Sequence, residues 1–526
     1  MHVQNPILPG FHPDPCICRV GEDYFLATST FVWFPGVQLY HSRDLVHWRE
    51  IPCPLRRTSQ LDLRGCPNSG GIWAPCLTYS DGVYYLIYTV VRNYHGIFKD
   101  TPNYLVTTRD IFSGDWSEPI YLNSSGFDPS LFHAPDGKKY LVNMIWDHRL
   151  ENHPFGGILL QEYSVTQKRL VGQIKNIYRG TEIGCTEAPH LFYRNGYYYL
   201  LFAEGGTLYN HGVRLARSRR LEGPYETDPL PILTTRHAPD APLQRAGHGS
   251  LTEGPDGTPY MVYLCGRPVG EKKRCILGRE TAIARLTWDE NTWLHLTNND
   301  TVPDVLAEID LPCAPYDALP LTDTFDCTTL PERYKTLRVP LEQIGSLTDA
   351  PGRLRLYGHQ SITSHDLQAM VARRMVSHAC EVTIQMDFDP QSFQQMAGLT
   401  VFYDTFNFYY CYVSREDDNG RALRLCARNN LQFSDPLGGA FVIEQGPIWL
   451  RARVIKDCLQ FFYSKDGVNF APIGHELDCS NLADEGYSEI GHEGHTGTLI
   501  GMACQDLTGN GHYADFLSYT YKDLTI

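Results

Sequence analysis

Three acidic residues sit in settings that suit acid–base chemistry: Asp14 in His12-Pro13-Asp14-Pro15, Asp128 in Gly126-Phe127-Asp128-Pro129, and Glu187 in Thr186-Glu187-Ala188-Pro189. A glycosidic bond breaks through an oxocarbenium-like transition state. That state needs one carboxylic acid to protonate the leaving oxygen and a second carboxylate, as base or nucleophile, on the opposite face. A third carboxylate beside the acid raises its pKa by like-charge repulsion and keeps it protonated near neutral pH. Glu187 with Asp128 suits that pairing and leaves Asp14 as the base. Acid and base roughly 6.5–9.5 Å apart would admit a water and invert the anomeric centre. Asp before Pro also caps turns and opens strands for structural reasons, so the chemistry rests on whether the three side chains meet.

A repeat provides the means for them to meet. Five segments share a small or acidic residue, often beside Pro, then an apolar pair, a Gly-containing turn and an aromatic strand. They run from Pro13-Asp14-Pro15, Trp73-Ala74-Pro75, Phe127-Asp128-Pro129, Glu187-Ala188-Pro189 and Gly247-His248-Gly249. Aligning positions 14, 74, 128, 188 and 248 gives spacings of 60, 54, 60 and 60 residues, enough for one four-stranded sheet each. Each unit reads as a hairpin whose Asp-Gly or Asn-Gly turn supplies positive φ. Five such units predict a closed five-bladed β-propeller, which also removes the exposed edges of a long all-β chain. The first strand of each blade lies nearest the axis. Asp14, Asp128 and His248 therefore point into a shared pocket, with Glu187 one residue before its aligned position. Carboxylates are costly to gather in a partly desolvated cavity, and such clusters mark functional sites.

The repeat fades after Leu286-Thr287-Trp288, and Pro303, Pro312, Pro315 and Pro320 follow. The expected organisation is a propeller over residues 1–302, a linker over 303–321 and a second all-β domain over 322–526. In the last region Glu381–Phe388 and Trp449–Val454 alternate apolar and polar residues, and Leu459–Ser464 runs into a Lys465-Asp466-Gly467 turn. These features predict a β-sandwich of the concanavalin or lectin-like kind.

Composition narrows the function classes. Asp plus Glu number 60 against 45 Lys plus Arg, a net charge of −15, which disfavours a nucleic-acid partner. No apolar run reaches the roughly 20 residues of a membrane-spanning helix. The opening Met1-His2-Val3-Gln4-Asn5-Pro6 lacks the charged and apolar regions of a secretory signal, so the expected location is the cytoplasm. The sixteen cysteines show no CxxC pair and are read as buried reduced thiols, with Cys16 and Cys18 on one strand face.

Seven ordered motifs carry a family resemblance: Asn5–Pro15, Gly70–Pro75, Gly126–Leu131, Thr186–Leu191, Glu204–Thr207, Gly247–Ser250 and Leu277–Thr281. Over nearly its whole length the chain resembles glycoside hydrolase family 43, and within it the bacterial β-xylosidases with a C-terminal sandwich. The resemblance implies an exo-acting, inverting enzyme that releases xylose from the non-reducing end of short β-1,4-xylo-oligosaccharides, with Asp14 as general base, Glu187 as general acid and Asp128 as pKa modulator. It implies Arg279 and Thr207 as sugar-binding residues and His248 at the pocket floor. It requires no cofactor, although a structural calcium or other divalent cation in the propeller channel, near His248 through water, is compatible with it. A homo-oligomer, dimer or tetramer, is also implied. Phe31, Trp73, Phe127 and Trp146 are expected to form an apolar wall, because rings pack well on pyranose C–H faces. Similar enzymes send a phenylalanine from the sandwich towards the pocket. Here the matching Gly494-His495-Thr496-Gly497-Thr498-Leu499 contains none. The neighbouring reading is an α-L-arabinofuranosidase or a bifunctional enzyme; a non-catalytic sugar-binding propeller would lack an acid or a base, and all three acids are present.

Overall fold

The computed structural model describes residues 1–417, 420–489 and 491–525. It is all-β, a five-bladed propeller joined to a two-sheet sandwich; among the described residues the only α-helix is the short Asp484–Ser488. Each blade is a meander whose first strand is innermost. These inner strands are Cys16–Val20, Gly71–Ser80, Ser130–His133, Glu187–Arg194 and Gln244–Glu253. β-Branched and aromatic residues fill the second strands, such as Val83–Val91 and Tyr197–Glu204, because both faces are covered by neighbouring blades. Aliphatic and aromatic side chains pack between blades, for instance Phe132, Val142 and Met144 of the third against Leu200 and Phe202 of the fourth.

The hairpins differ from the expected uniform type. Asp81-Gly82 and Asn195-Gly196 are two-residue turns with positive φ at both residues, as type I′ turns require. Asp136-Gly137 and Asp256-Gly257 instead lie in longer loops, where only the glycine is left-handed, and the first blade turns on Gly21-Glu22. The longer loops have room to reverse the chain without the strained pair.

Residues 303–321 do not hang free. Leu306–Glu308 pairs antiparallel with His2–Gln4, the Ala314 N–H donates to Asp44 at 2.8 Å, and Tyr316 hydrogen-bonds His41 at 2.6 Å. The N-terminal segment meanwhile clasps the fifth blade: the Asn5 amide bonds both the N–H and the C=O of Ile283.

The sandwich stacks a sheet containing Ala379–Asp387, Ile448–Ile455 and Tyr513–Asp523 on one containing Gln395–Phe402, Phe408–Glu416 and Leu499–Asp506. The second sheet runs on into the propeller. Its edge strand Lys335–Leu337 pairs with Trp33–Phe34, which belongs to a first-blade excursion. Buried polar contacts reinforce the join. Arg245 of the fifth blade, fully buried, meets Asp484 at 2.6 Å and Glu485 at 3.3 Å, and Arg374 of the sandwich donates to the Phe11 carbonyl at 2.6 Å. All sixteen cysteines are unpaired; most are buried, but Cys313 and Cys458 are exposed, so uniform burial of the thiols does not hold.

Candidate active site

The five aligned positions share one backbone feature: Asp14, Ala74, Asp128, Ala188 and His248 all have positive φ, between 39° and 55°. A left-handed non-glycine residue costs about 1–3 kcal/mol and persists only where its surroundings over-determine it. Here it lies just before the inner strand in the first and third blades, at its second residue in the fourth, and within the strand, at a break in the pairing register, in the second and fifth. Two of the five present no functional side chain, yet their backbone N–H groups work in the site. Ala74 N–H donates to Ser29 Oγ at 2.7 Å, and Ser29 in turn donates to Asp14 Oδ2 at 2.6 Å. Ala188 N–H donates to Asp128 Oδ2 at 3.1 Å.

The three carboxyls converge on a cavity of about 310 Å³, and all ten residues singled out from the sequence line it: Asp14, Phe31, Trp73, Phe127, Asp128, Trp146, Glu187, Thr207, His248 and Arg279. Their electrostatics differ. Burial opposes charge on Asp14, but Arg279, His248 and Ser29 more than offset it and hold the carboxyl below its ordinary range. Arg279 Nη1 lies 2.8 Å from Asp14 Oδ1, with His248 Nδ1 at 3.7 Å. Glu187 is pushed well above the ordinary glutamate value, first by burial and then by Asp128 and Asp14. Asp128 is raised to about 7 by burial and by Asp14, the Ala188 N–H partly offsetting this. Glu187 and Asp128 therefore titrate as a coupled pair, and at neutral pH the site holds one firmly ionised carboxylate opposite a proton-bearing pair. That is the asymmetry acid–base chemistry requires.

Arg279 is fixed from three directions: Asp14, Thr207 Oγ1 at 3.3 Å, and the His495 carbonyl at 3.1 Å. Gly278 before it has φ +79°, and a Cβ there would lie 2.7 Å from the Gly497 Cα. Only two glycines let the sandwich loop approach the arginine loop so closely. The aromatic wall is continuous, with ring centroids 5.9 Å apart for Phe31–Trp73, 5.6 Å for Trp73–Phe127 and 6.3 Å for Phe127–Trp146. Phe155 extends it, 5.7 Å from Trp146.

Several lining residues escaped the sequence. The sandwich contributes Glu493, Gly494 and His495. The His495 ring packs edge-on against Trp73 at 5.4 Å, and the His495 backbone N–H donates to Ser69 Oγ at 3.0 Å. The segment without a phenylalanine thus still contributes a ring, that of His495, to the cavity wall. Lys99 lies over Trp146 at 4.2 Å. His211 shares the floor with His248, its Nδ1 bonded to the Arg245 carbonyl at 3.0 Å; burial lowers the first to about 3 and lowers the second as well, so both rings are neutral. Only the 494–499 segment carried a sequence signal, since the others belong to no repeat position.

The floor is a poor match for a protein-held calcium, which takes six to eight oxygen ligands. It presents imidazoles, and Asp14 is already engaged by Arg279 and Ser29.

Residues 3–294 match the family model of glycosyl hydrolases family 43, and residues 322–522 match the β-xylosidase C-terminal concanavalin A-like domain. The chain is 47% identical to a β-xylosidase of Bacillus subtilis (strain 168), over 99% of this chain and 100% of that one. It is 46% identical to xylosidase/arabinosidase 43B of Humicola insolens, over 99% and 97%. The crystal structure of a xylan β-1,4-xylosidase from Bacillus halodurans C-125 superposes with a TM-score of 0.97 at 49% identity, covering 99% of this chain and 100% of that one. Propeller, acid cluster and sandwich thus agree with full-length similarity, and the chain belongs to glycosyl hydrolases family 43.

Proposed function

We propose that the protein is an exo-acting, inverting β-xylosidase that removes single xylose units from the non-reducing end of short xylo-oligosaccharides. The observation that carries this reading is the meeting of three carboxyls with opposed electrostatics in one pocket, walled by all five blades and the sandwich. Glu187, holding its proton, donates it to the leaving oxygen. Asp14, held ionised by Arg279, takes a proton from the water that attacks the opposite face of the sugar. Asp128 raises the affinity of Glu187 for its proton. Arg279 and Thr207 bind hydroxyls, and the aromatic wall takes the apolar face of the ring. A pocket surrounded by side chains suits a chain end better than a chain interior. The full-length similarity to a β-xylosidase supports xylose. An arabinofuranosidase side activity is consistent with the printed name of the Humicola relative. Sixteen unpaired cysteines favour a reducing compartment, in keeping with the cytoplasm.

The test is Glu187→Ala assayed on xylobiose and on nitrophenyl β-xyloside. Loss of a general acid costs about 10²–10⁴-fold, so xylobiose hydrolysis should collapse while the activated substrate suffers far less. Unchanged xylobiose hydrolysis overturns the assignment. Proton NMR of the first product should show α-xylose, and a β-anomer would overturn inversion. A much faster nitrophenyl α-L-arabinofuranoside rate would move the reading to arabinofuranosidase.

A further inference from the structure

Two residues beyond each left-handed position, the inner strands carry a second ring of residues, Cys16, Cys76, Ser130, His190 and Ser250, of which all but Ser130 line one cavity. Two residues along a strand is about 6.6 Å, so this ring lies one layer beneath the catalytic acids. Three of its five members are metal-ligand types. One donor atom from each of Cys16, Cys76 and His190 lies within 4.8 Å of the others, with Cys76 Sγ 4.0 Å from His190 Nδ1. A tetrahedral zinc ion, at about 2.3 Å from sulfur and 2.0–2.1 Å from nitrogen, needs donors roughly 3.5–3.8 Å apart. The three groups therefore stand within about 1 Å of a binding arrangement before any adjustment.

The geometry points to a Cys2His site in the propeller channel for a soft divalent ion of the zinc class, with Ser250 or a water as fourth ligand. Ser250 Oγ lies 3.7 Å from Cys16 Sγ. Thiolate and imidazole donors select zinc-like ions and reject calcium or magnesium, which require oxygen. Access need not pass through the substrate pocket. A second cavity of about 390 Å³ is lined by Cys16, Cys76, His190 and Ser250, together with Thr78 and Trp288; none of these lines the substrate cavity. Cys16, Cys76 and His190 come from the first, second and fourth blades, so an ion bound to them fastens three blades across the axis. The inference does not depend on the hydrolase reading, since it uses none of the catalytic residues.

The test uses the full-length enzyme, reduced and freed of metal with a chelator. Cobalt(II), a spectroscopic stand-in for zinc, should give a thiolate charge-transfer band saturating at one equivalent, and zinc should raise the thermal midpoint. The Cys16→Ser/Cys76→Ser variant should lose both effects. Cys313→Ser should keep both; Cys313 belongs to the other grouping of metal-ligand types, with Asp44 and His47. Absence of the band in the parent enzyme, its persistence in the double variant, or a Cys16–Cys76 disulfide in the protein as isolated would overturn the site. Should the double variant fail to fold, alkylation of the parent enzyme followed by mass spectrometry decides the matter. Zinc should protect Cys16 and Cys76, and equal labelling with and without zinc refutes the proposal.

Discussion

The contrast between Asp14 and the Glu187–Asp128 pair sets the pH dependence. With the proposed roles, the active form of the free enzyme has Asp14 ionised and Glu187 protonated. kcat/KM should therefore fall on the acid side only below the ordinary carboxylate range, and on the alkaline side well above the ordinary glutamate value. Asp128→Asn removes a negative neighbour that raises Glu187, so the alkaline limb should move to lower pH; an unmoved limb would mean Asp128 acts otherwise. Ser29→Ala removes a hydrogen bond to the Asp14 carboxylate, an interaction of about 1.5–3 kcal/mol. The acid limb should then rise, with roughly a tenfold or greater loss of kcat/KM at its optimum. At this scale the sequence was informative. The three acids and Arg279 were legible because each lies in a motif, with Asp14 and Asp128 at the same repeat position and Glu187 one residue before it. Ser29 was not, because its part in the site is a contact between one blade and the backbone of the next.

Inner strands and loop glycines decide how well those residues are held. Gly278→Ala places a Cβ at positive φ and 2.7 Å from Gly497. The variant should lose about 1–3 kcal/mol in denaturant unfolding and bind substrate more weakly, because the displaced loop carries Arg279. An unchanged midpoint would show that the loop relaxes freely. The five inner strands follow from the repeat that the sequence displays, whereas the left-handed conformation of the aligned residue in each was not read from it. The His495 loop does not follow from it either. It was visible only as a departure from a pattern, and its role comes from packing on Trp73 and holding Arg279, contacts about 220 and 420 residues apart in sequence that no local periodicity encodes.

Taken whole, the molecule is two folds joined by shared apolar packing and buried ion pairs. Arg245→Ala would leave the Asp484 carboxylate buried without its charge partner, a change that costs about 3–5 kcal/mol. Thermal unfolding of the parent protein should be a single transition, and the variant should unfold earlier or in two steps. The apolar cluster around Trp33, Phe34, Leu337, Met370 and Phe402 crosses the same boundary. Residues 1–320 expressed alone should consequently be poorly soluble and inactive, having lost the Glu493–His495 side of the pocket; a soluble, fully active fragment would contradict this. The two-domain plan was legible from proline-rich residues 303–321. The fusion of the domains was not, since the two-residue strand Trp33–Phe34 is too short to register as a sheet element in the sequence. That short strand has a further consequence. It occupies the hydrogen-bonding rim of Lys335–Leu337, a place where another molecule's strand could otherwise add on. The catalytic half thereby serves as a built-in guard against fibre-like self-assembly of the other, and mutations that loosen the first blade should surface as aggregation before they surface as lost catalysis.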